Sequence, residues 1–79
     1  MAILPNPTPF LLRLVGGWPS IAAQVDTIAR DRAWPTYSEA PTRYRFSGWG
    51  TVGFPPALAC NVYYFPVDGP MVDMGRVVG

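Results

Sequence analysis

The chain predicts an α+β domain: one amphipathic helix packed on a short antiparallel sheet, preceded by an extended proline-rich N-terminal arm. Three observations carry that prediction. Residues 20–33 repeat apolar side chains at helical spacing. Residues 42–47, 57–65 and 71–78 are rich in aromatic and β-branched side chains and are separated by glycine and proline. Prolines stand at alternate positions 5, 7 and 9, a spacing that belongs to extended backbone. The organisation expected is an arm over residues 1–9 and a single small domain over 10–79. An irregular chain wrapped over a host is the alternative architecture.

The arm has a directional chemistry. In an extended chain, successive N–H groups point to opposite sides. Pro5, Pro7 and Pro9 therefore remove the donors from one edge, and Asn6 and Thr8 donate along the other. Such an arm pairs on one side only. Phe10, Leu11 and Leu12 follow it and are too apolar to remain in water on a tail. The run 10–15 ends at Gly16-Gly17, and the prolines before it and glycines after it favour a strand.

The helix is expected over Ser20 to Ala33, with Ser20 as N-cap after Pro19. Ile21, Val25, Ile28 and Ala29 share a face, with Ala22 at its flank. Asp26 precedes Arg30 by four residues, and Arg30 and Arg32 sit near the negative end of the helix dipole. Trp34-Pro35 should end the helix. After a polar connector, Thr42-Arg43-Tyr44-Arg45-Phe46-Ser47 alternates strictly, which predicts a half-buried strand with the arginines on its outer face. A glycine loop over 48–53 follows. Strands 57–65 and 71–78 should form a hairpin around Asp68-Gly69, with Gly69 at positive φ.

Four prolines directly follow an aromatic ring: Trp18-Pro19, Trp34-Pro35, Phe54-Pro55 and Phe65-Pro66. Each pair couples a large apolar anchor to a fixed φ and pushes the aromatic residue toward extended backbone. The chain reads as short segments hinged at aromatic corners.

Composition narrows the functions available. A chain of 79 residues makes one domain with a thin stability margin, because small cores rarely exceed their ordering cost by more than about 3–5 kcal/mol. The usual supplements are limited here: one cysteine, Cys60, allows no internal disulfide, and the absence of histidine removes the commonest transition-metal ligand. A partner or self-association remains. The chain is 49% hydrophobic and only 14% charged, which argues against disorder and for apolar surface covered in the working state. A net charge of +1 gives no electrostatic case for nucleic acid or an anionic membrane.

Every cation is arginine, so no Schiff-base lysine, P-loop lysine or amine base can be proposed. Without histidine, Ser-His-Asp and Cys-His sites are excluded, and Cys60, within an apolar strand, is read as a small buried hydrophobe. Gly48 to Gly53 matches G-x-G-x-x-G, but Phe54-Pro55-Pro56 follows where a phosphate-binding helix would have to start. Tyr44 and Phe46 beside Arg43 and Arg45 resemble a single-strand nucleic-acid platform only superficially, since alternation sends rings and cations to opposite faces. Glu39 and Asp73 have no partner that spacing supplies.

The first cation is Arg13, after three prolines, which is no secretory signal. The uncharged run 46–67 is too rich in proline and glycine for a membrane-spanning helix. No catalytic residue, metal ligand or cofactor site is expected. The expected function is that of a non-enzymatic structural subunit of a larger assembly, a minor or cementing component of a virus (phage) particle. The alternative is a small soluble binding module that inhibits or adapts a host enzyme. In either case the interaction residues expected are Pro5, Pro7, Pro9, Phe10, Leu11 and Leu12 of the arm, with Trp18 and Trp49 as anchors.

Overall fold

The computed structural model describes residues 17–79. The expectations for the arm and for Phe10, Leu11 and Leu12 lie outside the described residues. The remainder is α+β, as expected: α1 (Trp18–Asp31), a 3-10 turn (Pro41–Arg43), then β1 (Tyr44–Val52), β2 (Ala57–Tyr64) and β3 (Val72–Val78). The strands form one antiparallel sheet in the order β1-β2-β3.

Helix α1 begins two residues earlier than its apolar spacing indicates. Gly17, in extended backbone, is the N-cap and supplies no side-chain cap, so Ser20 is not the cap. Ser20 lies inside the first turn, where its Oγ accepts from Gln24 Nε2 at 3.2 Å. Trp18 is helical although proline follows it. Its burial against Tyr37, Phe46 and Trp49 outweighs the pre-proline preference. Pro19, in the first turn, has no N–H to lose from the helical ladder. Ile21, Val25 and Ala29 are buried, and Ala22 and Ile28 are half-buried beside them.

The helix ends at Asp31, two residues short of the expected Ala33, through a Schellman arrangement ahead of Trp34-Pro35. Trp34 N–H donates to Ala29 O at 2.8 Å and Ala33 N–H to Arg30 O at 3.2 Å, with Ala33 in the left-handed region at φ +59°. The polar connector has its own turn. Thr36 and Glu39 form a capping box: Thr36 N–H donates to Glu39 Oε1 at 2.8 Å, and Glu39 N–H reaches Thr36 Oγ1 at 3.4 Å. The Thr36 N–H and the Thr36 hydroxyl, which donates to the same Oε1 at 3.2 Å, with the Arg30 charge, hold the Glu39 carboxyl below its ordinary pKa. Asp26 accepts the Tyr37 N–H at 2.9 Å and ties the connector to the helix.

The glycine segment 48–53 is not a free loop: most of it belongs to β1, which runs to Val52. The extra length is absorbed by a bulge between Ser47 and Gly50, with Gly48 at φ +64°. Strands β2 and β3 pair as a hairpin, Tyr64 opposite Val72 and Ala59 opposite Val78. Gly69, however, is not at positive φ. The connection runs from Phe65 to Met71 and contains Pro66 and Pro70, and a reversal of that length does not need the mirror-image turn of a two-residue hairpin. The left-handed glycine of this hairpin is Gly75, at φ +85° in a second bulge opposite Val62 and Tyr63.

Side chains from α1 and the sheet close one core: Ile21, Val25, Ala29, Tyr44, Phe46, Leu58, Cys60, Val62, Tyr64 and Val77. All lie on α1 or on the sheet face toward it.

Candidate interaction surface

Alternation gives the sheet two unlike faces. On the helix side, Tyr44, Tyr64 and Val72 form one row across the strands, Phe46 and Val62 a second, and Cys60 and Val77 a third. Tyr44 is fully buried and donates its hydroxyl hydrogen to Pro35 O. Loss of water around it, followed by the fields of Tyr64, Asp26 and Glu39, raises its pKa to about 12. Burial likewise pushes the Cys60 thiol up to about 11. The sulfur sits in the core as a hydrophobe and is poorly disposed to form a thiolate.

The opposite face has no helix over it among the described residues. Its rows are Arg45, Tyr63 and Asp73, then Ser47, Asn61 and Arg76, then Gly50, Ala59 and Val78. Arg76 reaches across the middle strand and donates from Nη1 to Gly48 O at 3.1 Å, so a β3 side chain fastens the β1 bulge. Asn61 packs beneath that bulge: a Cβ on Gly48 would lie 2.7 Å from Asn61 Nδ2. Toward the other end, Arg45, Ser47, Tyr63, Phe65 and Met71 line a shallow groove of about 450 Å³. Phe65 and Met71 are exposed, as are Val52 and Val78 farther along the face.

The aromatic corners divide in two. Trp18 and Trp34 turn inward. Trp18 meets Phe46 edge-on at 5.0 Å, and Trp34 stacks on Tyr64 at 4.3 Å with the Arg32 guanidinium 5.1 Å above its ring. Phe54, in the turn between β1 and β2, is 99% exposed, and Phe65 borders the groove.

Of the residues expected to make contacts, Trp18 and Trp49 are brought together, their rings 5.9 Å apart, and both are half-buried in the aromatic cluster with Tyr37 and Phe46. Pro5, Pro7, Pro9, Phe10, Leu11 and Leu12 lie outside the described residues. The groove residues and Phe54 were missed as a surface. The sequence signal for the groove was the outward half of each alternating strand, Arg45 and Ser47 with Tyr63 and Phe65. Glu39 and Asp73 find local structural partners: the capping box, and the Gly75 N–H at 2.8 Å from Asp73 Oδ1.

Among the described residues, no group of three or more histidine, cysteine, aspartate or glutamate side chains could hold a metal ion, and no helix is long and apolar enough to cross a membrane. The glycines at 48–53 lead through a turn into β2 rather than into a helix N-terminus. No family model, curated protein or solved structure matches the chain.

Proposed function

We propose that this protein is a non-enzymatic structural subunit that docks, through its arm and the side of its sheet that carries no helix among the described residues, onto protein in a larger assembly. The observation that carries the reading is the contrast between the two faces of the sheet among the described residues. Helix α1 seals one face, while the other presents Phe65, Met71, Val52 and Val78 to solvent. A chain this small gains most from a partner on such a face. The assembly we would test first is a virus particle, where short arm-bearing chains serve as joints between shell subunits.

Light scattering on the full chain after size exclusion, beside a chain lacking residues 1–9, tests the reading. The full chain should form discrete oligomers or bind isolated shell protein, with more than about 1,000 Å² in the interface. The truncated chain should lose that association while keeping the α1 signal in circular dichroism. Association unchanged by the truncation would refute the docking arm.

A second reading has its own observation. Phe54 is almost wholly exposed on a turn and can serve as the anchor of a monomeric module that inhibits or adapts an enzyme. A monomer at all concentrations that loses binding to a host enzyme on Phe54→Ala would favour it.

A further inference from the structure

The two edges of the sheet are finished differently. At the β3 edge, Gly79 N–H donates to Leu58 O at 2.8 Å, so the antiparallel alternation turns the backbone groups of Arg76 and Val78 outward. The outward Val78 carbonyl is already taken, accepting from Gln24 Nε2 of α1 at 2.7 Å. Upstream, the bulge at Gly75 bends the strand, and Asp73 Oδ1 occupies the Gly75 N–H. The Val78 acceptor is thus occupied and the bulge interrupts the straight edge, so an added strand with donors two residues apart lacks one of its acceptors here, although the Arg76 groups stay outward.

At the β1 edge, Phe65 N–H donates to Arg43 O at 2.7 Å, so Arg45 and Ser47 bond toward β2, and Tyr44 and Phe46 turn their backbone groups outward. The Tyr44 N–H is spent on Pro41 O. The Tyr44 carbonyl and both backbone groups of Phe46 have no partner among the described residues. The 3-10 turn closes this window on one side and the bulge at Gly48 on the other.

We propose that this window receives residues 5–9 of a second copy of the chain as a fourth, antiparallel strand. Asn6 and Thr8 N–H donate to the carbonyls of Phe46 and Tyr44, and the Asn6 carbonyl accepts from Phe46 N–H. Acceptors two residues apart meet donors two residues apart, and the one N–H that β1 has already spent is not required. The prolines then face outward and leave the new edge without donors, so addition stops after one strand. Because each copy carries both arm and window, the contact closes as a reciprocal two-fold dimer or a ring, or continues as a filament. The inference rests on the docking-arm reading above and gives the arm its seat.

The test follows amide exchange at Phe46 by NMR in the 15N-labelled full chain, with light scattering on the same samples. The variant Asn6→Pro/Thr8→Pro removes both donors without shortening the arm, and Pro7→Ala adds a donor on the outer edge only. With two hydrogen bonds lost, self-association should weaken at least about tenfold in the first variant. Phe46 exchange should accelerate by a similar factor, while the rest of the 17–79 amide spectrum is unchanged. Pro7→Ala should leave both readouts as they were. If the double variant dissociates but Phe46 exchange does not change, the seat is wrong and the docking arm stands. If deletion of residues 1–9 leaves association intact, the docking arm itself is wrong. Phe46 protection that persists in dilute monomer would overturn the second copy and place the arm on its own chain.

Discussion

The two faces of this sheet are built from the same three strands and obey different rules. Toward α1, the rows that hold Tyr44 and Tyr64, Phe46 and Val62, and Cys60 and Val77 are apolar and largely buried, and the two tryptophan-proline corners fold inward to finish them. On the other face, the middle rows are polar, an arginine crosses the strands to hold a bulge, and apolar side chains remain in water at both ends. The first face buries the core; the second leaves apolar side chains exposed beside polar contacts that hold the β1 bulge. What separates them is a period of two in the sequence, so a shift of one residue in register would exchange their roles.

The largest expected effect breaks the closed face. Leu58→Ala removes a fully buried side chain and should cost about 2–5 kcal/mol in chemical denaturation. Phe65→Ala, across the sheet, deletes a larger ring that is 39% exposed and should cost under about 1 kcal/mol. Equal losses would mean that the groove is part of the core.

Alkali offers a second way into the closed face. Tyr44 and Cys60 have folded pKa values raised above their unfolded ones, so the stability they contribute is whole below the unfolded values and is lost as pH rises. For Cys60 the loss should run between about pH 9 and 11, and for Tyr44 between about pH 10 and 12. Denaturation midpoints should therefore be flat near neutrality and fall above about pH 9, and a Tyr44→Phe chain should fall less steeply above pH 10. Thiol labelling of the native chain at pH 7 should be slow.

On the open face, backbone geometry is more fragile than side-chain burial. Gly48→Ala places a Cβ 2.7 Å from Asn61 Nδ2 at a residue with φ +64°, and should cost about 1–3 kcal/mol. Gly50→Ala meets only the flexible end of Arg76, at 3.3 Å, and should cost less. A tolerated Gly48→Ala would show that the bulge can be repacked, and with it the end of the β1 window.

The sequence made these faces legible and left their joints obscure. The α1 stripe and the alternation at 44–47 were readable because burial imposes a period on side chains, whereas Thr42 and Arg43, expected in the same strand, lie in the 3-10 turn before it. The bulges were not, because they depend on which residue faces which across the sheet: Gly48 is fixed by Asn61 and Arg76, far away in the chain. Trp18 was misread for a related reason, since a local proline rule yielded to tertiary burial. The Thr36-x-x-Glu39 box was visible and passed over, because it caps a single turn rather than a helix with an apolar run. As for the surface, outward positions could be assigned to a face, but nothing in alternation says which edge is spent. That required the bonds to Gln24 and Pro41.

The smallest expected effect sharpens the comparison from the closed side, and its sign is the informative part. Ala33 holds the left-handed position of the Schellman cap at φ +59°, where glycine is the usual occupant. A Cβ there costs about 1–2 kcal/mol, and glycine returns part of that as extra unfolded-state entropy. Ala33→Gly should therefore stabilise the chain by about 0.5–1 kcal/mol, unlike a glycine placed inside α1. The cap delivers Trp34 onto Tyr64, so relaxing it should leave that stack in place and the near-ultraviolet dichroism unchanged. Loss of stability at Ala33→Gly would mean that the tryptophan corner, rather than the cap, sets this backbone.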